Sequence, residues 1–255
     1  MPAAPAPQAP GLTLVGVGPG DPELITVAAQ RAIEAAAVVA YPVASADAQG
    51  MAARIAEPWI AAHQRRLPLL FPMVVEAEPR RQAWHAAVDA LAAEVAAGRA
   101  VVLLCEGDSS LFASCSYVLL ALGQRYPGCP VRVIPGITAA SAAAAAASSQ
   151  GLAWPLALQQ EALLIRPTPE TPEQLELLLD QAAAAATVLA LLKLGRRWAW
   201  VRACLEARGL LQQALFAQRV GWPDQLLAPA EQVAADEQPY FSLLLVRQSW
   251  PEVLP

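Results

Sequence analysis

The sequence contains few of the residues from which metal centres and nucleophilic active sites are built. Its 255 residues include two histidines and four cysteines, and these cysteines show no Cys-x-x-Cys or other metal-ligand spacing (Cys105, Cys115, Cys129 and Cys204). We therefore expect no protein-bound metal and four reduced, mostly buried thiols. No Ser/His/Asp or Cys/His constellation is visible either, and we expect His63 and His85 on helix surfaces.

Long apolar runs are also missing. No uninterrupted apolar stretch approaches the ~20 residues of a membrane-spanning helix. Residues 1–10, MPAAPAPQAP, lack the basic and apolar regions of a signal peptide, and their composition predicts a disordered tail. Since 56% of the residues are apolar and 15% are charged, the chain has ample material for a buried core. We expect a globular cytoplasmic protein that does not act at a membrane.

Positive charge is sparse and scattered along the chain. The net charge is −5 and no basic block stands out, which argues against nucleic acid as a partner. Lys193 is the only lysine, so 17 basic residues minus 1 leaves 16 arginines. Arginine suits carboxylate recognition better than lysine does, but the many alanines favour a second explanation, a genome with biased codons.

Apolar, β-rich runs alternate with helical patterns across the first 135 residues. Strands are predicted at 12–17, 38–41, 66–71, 100–104 and 131–134, and helices at 21–37, 49–62, 78–97 and 110–123. Such alternation is typical of a parallel α/β sheet. A second set has helices at 172–185 and 197–208 and strands at 162–165, 187–192, around 215 and at 241–246. The sequence therefore predicts two α/β domains, residues 11–137 and 138–255.

Three of the predicted strands end in small or turn-forming residues. The segments are GVGPGDP at 16–22, EGDSSLF at 106–112 and PGITAAS at 135–141. Because ligands of open α/β sheets bind beyond the carboxyl ends of the strands, the segments form a candidate binding site. Each also has a structural explanation: a tight turn, a helix cap and a hinge. The first is not a dinucleotide-binding fingerprint, because the third glycine of G-x-G-x-x-G falls at Asp21.

The order and spacing of the three segments resemble the tetrapyrrole (corrin/porphyrin) methylases, which transfer methyl groups from S-adenosylmethionine. The resemblance runs from Leu12 to Val246, and GVGPGDPELIT at 16–26 is highly specific to that family. Further segments are similar to the branch that methylates position 20 of precorrin-2, or of cobalt-factor II, in cobalamin biosynthesis. They are AYP at 40–42, LFPM at 70–73, LKLG at 192–195 and PYFS at 239–242. Uroporphyrinogen methylases differ, with GGDPF and YMG at the corresponding places.

The resemblance implies two α/β domains of the tetrapyrrole methylase type with the active-site cleft between them. It also implies S-adenosylmethionine as cosubstrate and a homodimer. By motif, the residues that contact the cosubstrate are Pro19, Gly107, Asp108, Leu111, Thr138, Ala139, Leu192, Val220, Gly221 and Tyr240. Two positions depart from the family pattern: Leu192 stands where methionine is frequent, and Ser109 stands where proline is common.

The implied reaction needs alignment and exclusion of water more than a nucleophilic side chain, because the sulfonium methyl group is already activated. Glu106, Asp108 or the substrate itself is the candidate for the base that removes a proton afterwards, and the sequence does not choose. For the carboxylates of the substrate, Lys193 and Arg196 are the preferred partners, and Lys193→Ala is expected to raise the KM for tetrapyrrole. Weaker candidates are Arg65, Arg66, Arg80, Arg81 and Arg197.

Three alternatives stay open at this point. The first keeps the family but changes the substrate to another tetrapyrrole position, a protein or ribosomal RNA, and the low basicity of the chain disfavours RNA. The second is a nicotinamide-dependent oxidoreductase that uses the first glycine segment. The third is an inert carrier that binds the reduced macrocycle without methylating it.

Overall fold

The computed structural model describes residues 9–45 and 47–252. Within them the chain divides into two compact units, with the boundary between Thr138 and Ala139. Positions 1–8 of the predicted tail, and the last three positions of the second predicted domain, lie outside the described residues. The helices in the described ranges include none with the length and apolar character needed to cross a membrane.

Unit 1 contains a five-stranded sheet in which every neighbouring pair is parallel, as predicted. Its strands are β1 (Gly11–Gly16), β2 (Val38–Val43), β3 (Arg65–Leu70), β4 (Ala100–Cys105) and β5 (Val131–Ile134). The spatial order is β3-β2-β4-β1-β5. This order differs from the 3-2-1 arrangement of the dinucleotide-binding fold. The connecting helices are α1 (Val27–Ala35), α2 (Met51–Ala56), α3 (Ala77–Ala96) and α4 (Ser114–Arg125).

Apolar side chains on both faces of the central strands hold this sheet in place. All six residues of β4 are buried, which is the pattern of a central parallel strand. On one face, Leu14 and Leu103 share a core with Leu91 of α3 and Val118 of α4. The predicted stop of α3 is confirmed, since Gly98 follows the helix with a φ of +80°, the left-handed conformation of a helix C-cap.

Two predicted helix starts in unit 1 are wrong because a side chain caps a shorter turn first. Asp21 does accept a hydrogen bond from the Glu23 N–H at 2.8 Å, but it caps only a 3-10 turn at Pro22–Leu24. The helix itself begins at Val27, where Thr26 is the N-cap. The helix predicted from residue 110 begins at Ser114 instead. Residues 110–113 form a turn in which Phe112 has a φ of +52°.

Unit 2 contains a mixed five-stranded sheet of order β6-β7-β10-β8-β9. The strands are β6 (Ala162–Pro167), β7 (Thr187–Leu192), β8 (Ala214–Gln218), β9 (Leu226–Pro229) and β10 (Ser242–Val246). Only β6 and β7 are parallel, because β10 lies antiparallel between β7 and β8. The sequence pattern did not predict β9, which is four residues long and ends in proline. The helices are α5 (Ala139–Ser149), α6 (Pro172–Ala184) and α7 (Trp198–Ala207).

The expectation of four reduced thiols is wrong for two of the cysteines. Cys105 at the end of β4 and Cys115 in the first turn of α4 form a disulfide, with 6.3 Å between their Cα atoms. The chain returns to the strand end after only ten residues, and both side chains are buried there. Cys129 and Cys204 are free, and burial raises the pKa of both thiols. The sulfur chemistry therefore depends on tertiary proximity that spacing alone does not reveal.

Candidate functional site

The structure brings the three predicted segments of unit 1 together. They begin three loops: loop 1 (residues 17–21) follows β1, loop 2 (residues 106–113) follows β4, and loop 3 (residues 135–138) follows β5. Since β4, β1 and β5 are adjacent and parallel, the loops leave the same edge of the sheet. Gly18 and Gly107 exchange backbone hydrogen bonds of 3.1 and 2.8 Å, which join loops 1 and 2 directly.

Glycines allow the backbones of the loops to touch. A Cβ atom at Gly16 would lie 2.5 Å from the Gly136 nitrogen and 2.8 Å from the Gly107 carbonyl oxygen. Gly107 itself has a φ of +65°, and among the described residues other than its chain neighbours, a Cβ there would meet only the Ile137 carbonyl oxygen, at 3.9 Å. One side of Gly107 is therefore open, which leaves room for a ligand to lie against the backbone.

Asp108 ties loop 2 to loop 3. Its carboxylate accepts hydrogen bonds of 2.8 Å from the N–H groups of Ser110 and Gly136, and one from the Ser110 hydroxyl. Next to it, the Ser109 hydroxyl donates to the Ile134 carbonyl oxygen at 2.9 Å. Burial pushes the pKa of Asp108 up, but hydrogen bonds from Ser110, Gly136 and Leu111 outweigh it and leave this pKa below its ordinary value. Asp108 is therefore an ionised anchor rather than a free base.

Replacing Asp108 by asparagine is expected to loosen loop 3. One of the N–H donors that face the carboxylate would then face an amide NH2 group, and a buried donor without an acceptor costs about 1–3 kcal/mol. The variant should melt at a lower temperature than the wild type at pH 7. Ser110→Ala, which removes only the hydroxyl donor, is the milder comparison. Equal melting temperatures for Asp108→Asn and the wild type would contradict the anchoring role.

In unit 2, the strand ends of β7 and β8 lie at one edge, on either side of the start of β10. The Leu194 N–H donates to the Ser242 carbonyl oxygen at 3.1 Å, and the Arg219 N–H donates to that of Phe241 at 2.8 Å. Lys193 and Arg219 follow the two strands directly, and both have positive φ values, +60° and +47°. Non-glycine residues held in this conformation are frequent at functional sites.

The side chains at this edge are positively charged and aromatic. The Lys193 ammonium lies 5.7 Å from the centre of the Tyr240 ring, within the range of a cation–π interaction. Arg219 lies 5.2 Å from the Trp222 ring and donates to Asp224 at 2.8 Å. The Leu192 carbonyl oxygen already accepts from both the N–H and the hydroxyl of Thr168, at 2.7 and 2.8 Å.

Comparison with known proteins identifies the family. The sequence model of the family described as Tetrapyrrole (Corrin/Porphyrin) Methylases matches residues 11–234. The chain belongs to this family. It is 35% identical to a precorrin-2 C(20)-methyltransferase from Sinorhizobium sp, over 91% of this chain and 93% of that protein. It is 30% identical to the cobalt-precorrin-2 C(20)-methyltransferase of Salmonella typhimurium, over 94% of this chain and 97% of that protein.

A solved structure shows the same fold with a ligand. It is the uroporphyrin-III C-methyltransferase of Thermus thermophilus in complex with S-adenosylhomocysteine. The two chains are 23% identical and superpose with a TM-score of 0.60, over 93% of this chain and 92% of the other. The predicted fold class, two α/β units of the tetrapyrrole methylase type, is therefore confirmed. The strand order and the family match leave no support for the nicotinamide-dependent alternative.

The residues predicted to contact the cosubstrate fall into two groups in this methylase. Those in unit 1 lie in or beside the three loops, and all are at least partly buried; they are Pro19, Gly107, Asp108, Leu111 and Thr138. Ala139 begins α5, and the others lie at the edge of the unit 2 sheet; they are Leu192, Val220, Gly221 and Tyr240. Their contacts with a cosubstrate stay a prediction.

The candidate substrate-binding cations differ in whether they already have a partner in the protein. Arg65, Arg66, Arg81 and Arg197 each pair with a glutamate, and Arg80 donates to backbone carbonyl oxygens. Lys193 and Arg196 form no ion pair within the described residues. Sequence reasoning missed Arg219 and Thr168 at the same edge. Thr168 could have been found from the sequence, because it is a polar residue shortly after the predicted strand that became β6. Arg219 could not, because no local sequence pattern indicates its positive φ.

Proposed function

We propose that this chain transfers a methyl group from S-adenosylmethionine to position 20 of precorrin-2, or of its cobalt complex, in cobalamin biosynthesis. The observation that carries the proposal is the 35% identity to a precorrin-2 C(20)-methyltransferase, which extends over 93% of that protein. The AYP, LFPM, LKLG and PYFS segments that resemble the same branch support it.

Loops 1–3 are the proposed contact surface for S-adenosylmethionine. Asp108 and the glycine contacts hold the three backbones together, and the open side of Gly107 gives a flat ligand access to the main chain. At the edge of unit 2, Leu192, Val220, Gly221 and Tyr240 are the proposed second set of contacts. The sulfonium supplies an activated methyl group, so the task of these residues is to hold it in line with the ring carbon and to keep water away.

Lys193 and Arg196 are the proposed partners of the substrate carboxylates. Both lie at the carboxyl end of β7, and neither forms a salt bridge within the described part of the chain. The pKa of Glu170 is lowered first by its hydrogen bond from Arg197 and more weakly by the charge of Arg196. A charge-assisted hydrogen bond to a propionate or acetate arm would orient the macrocycle.

Lys193→Gln is the sharpest test of this contact. Glutamine removes the positive charge but keeps a long polar side chain. It therefore disturbs this residue, whose φ is +60°, less than alanine would. We expect the KM for tetrapyrrole to rise about tenfold, since a hydrogen bond to a charged group contributes about 1.5 kcal/mol. Lys193→Arg keeps the charge and should retain most of the affinity. Steady-state kinetics that give the glutamine variant the wild-type KM would exclude Lys193 from the substrate site.

Mass spectrometry of separate incubations tests the function itself. Precorrin-2 and its cobalt complex are each incubated with the protein and S-adenosylmethionine, and the products are separated by chromatography. A gain of one methyl group in one incubation, located at position 20 by NMR of the isolated product, supports the proposal and identifies the substrate form. Methylation at another ring position would support the family alternative, and binding without any gain in mass would support the carrier alternative.

The proposal includes a homodimer in the cytoplasm, for which the family resemblance is the support. Light scattering of the purified protein measures the first: a mass twice the 26.8 kDa of one chain is the expected value.

A further inference from the structure

Two carboxylates flank Gly107 in loop 2, and their surroundings are opposite. Asp108 is buried, and hydrogen bonds from Ser110 and Gly136 occupy both of its oxygens. Glu106 is the first residue after β4, and solvent reaches its side chain. Within the described part of the chain the Glu106 carboxylate has no hydrogen-bond or ion-pair partner. The oxygens of Asp108 are thus used to hold the loops together, whereas the lone pairs of Glu106 are available to accept a proton.

The backbone of Glu106 is held on both sides. Cys105 precedes it and pairs with Gly16 in the sheet, and Gly107 follows it and exchanges two hydrogen bonds with Gly18. The carboxylate therefore extends from the part of loop 2 whose backbone is held against loop 1. A reactive group carried on such a support keeps its position during the reaction.

We propose that Glu106 is the base that accepts the proton released from ring position 20 after methyl transfer. This inference rests on the proposed function. The enamine-like carbon forms a bond to the methyl carbon as the methyl–sulfur bond breaks, and the sulfonium becomes a neutral thioether. The ring carbon then carries both the methyl group and its original hydrogen. Transfer of that proton to the Glu106 carboxylate restores the ring double bond, and solvent takes the proton from Glu106.

The acidities of the two carboxyl groups differ in the direction that this assignment requires. Protein packed around Glu106 displaces enough water to raise its pKa to about 7, even though solvent reaches the side chain, and no charged group among the described residues adds to this effect. The pKa of Asp108 is lowered by its hydrogen bonds, as described above. A base works best when its pKa lies near the working pH, and carboxyl groups with pKa values pushed apart commonly divide the acid–base roles.

Glu106→Gln tests the proposal in the full-length enzyme with precorrin-2 or its cobalt complex. General base catalysis contributes at least about 100-fold, so kcat at pH 8 should fall by about that factor while the Kd for S-adenosylmethionine stays unchanged. The wild-type kcat should rise with pH up to about 7, and the variant should lose this rise. Glu106→Asp keeps a carboxylate and should recover part of kcat together with the pH dependence. Glu231→Gln, at an exposed glutamate of unit 2, is the matched control.

A second readout needs no substrate. The pKa of Glu106 is raised from an ordinary value of 4.5, so the folded state holds this proton more tightly than the unfolded state does. The charge on Glu106 therefore destabilises the fold as pH rises through that range. Glu106→Gln should melt above the wild type at pH 8 and together with it at pH 4. A lower melting temperature at pH 8 would mean that Glu106 is a structural residue and would overturn the assignment.

Failure of the proposed function and failure of the role of Glu106 give different results. A wild-type protein that methylates neither substrate form refutes the proposed function. A wild-type protein that methylates precorrin-2, beside a Glu106→Gln variant with the same kcat and the same rise with pH, refutes the role of Glu106 alone.

Discussion

Replacing Gly136 by alanine is expected to abolish tight binding of S-adenosylmethionine and to destabilise unit 1. The new Cβ atom would lie 2.2 Å from the Gly107 carbonyl oxygen and 2.8 Å from the Gly16 carbonyl carbon. Both are backbone atoms, so loops 1–3 must separate to make room. We expect a loss of about 3 kcal/mol in the free energy of unfolding, at the upper end of the usual overpacking range. Because the separated loops no longer form one binding surface, we also expect the Kd for S-adenosylmethionine to rise by about 100-fold.

Gly123→Ala is the matched control for this substitution. Gly123 lies in α4, and apart from nearby atoms of its own helix, no atom of the described residues lies within 4 Å of the position that a Cβ would take. Alanine is the better helix former, so this variant should gain about 0.5–1 kcal/mol. Thermal unfolding and titration calorimetry measure both effects. A Gly136→Ala variant with the stability and the Kd of the wild type would show that the three backbones do not touch.

Replacing Arg247 by methionine is expected to cost unit 2 about 3–5 kcal/mol, because it leaves a carboxylate buried without its counter-charge. Arg247 directly follows β10, and its side chain is 1% exposed. It donates two hydrogen bonds of 2.8 Å to Glu161, whose side chain is 6% exposed. Its guanidinium lies 5.1 Å from the Trp154 ring and 4.3 Å from the Trp250 ring. A further hydrogen bond of 2.9 Å to the Pro155 carbonyl oxygen fixes the chain before β6.

The pH dependence of this loss follows from the ionisation of Glu161. The hydrogen bonds from Arg247 hold the pKa of Glu161 below its ordinary value of 4.5 against the opposing effect of burial. A lowered carboxyl pKa stabilises the fold above the unfolded value, and the stabilisation disappears as pH falls through the folded one. The difference between the wild type and Arg247→Met should therefore be large at pH 7 and should shrink as pH falls below the ordinary value of 4.5.

Urea unfolding of single and double variants distinguishes this explanation from simple loss of packing. If the uncompensated charge is the cause, adding Glu161→Leu to Arg247→Met should recover part of the stability. Arg81→Met removes an exposed pair with Glu78 and should change the free energy by about 0.5 kcal/mol or less. A double variant less stable than Arg247→Met would contradict the charge argument.

The sequence predicted which three segments form the candidate site of unit 1. Apolar runs that end in GVGPGDP, EGDSSLF and PGITAAS are local patterns, and their order carries the family resemblance. The contacts among them were not predictable, because β1 lies between β4 and β5 only in the folded sheet. The Gly16–Gly136 contact and the Asp108–Gly136 hydrogen bond follow from that strand order.

The same distinction explains the expectations that were wrong. Helices starting at 21 and 110 were predicted from capping residues that the structure uses for shorter turns. Reduced Cys105 and Cys115 were predicted from spacing, but a strand end and a helix start come together there. Strand β9 has too few residues and too much proline for a periodic signal.

The amino-acid sequence by itself determined the family, the two α/β units and the chemistry expected of them. Apolar periodicity and the order of motifs along the chain can both be read without knowing how the chain folds. Only the tertiary structure shows that the surroundings of Asp108 and Glu106 differ. One carboxylate binds the backbone of Gly136, 28 positions further along the chain, while the other stays without a partner among the described residues. Burial and hydrogen bonding determine the acidity of a carboxyl group, and both depend on residues that only folding brings together.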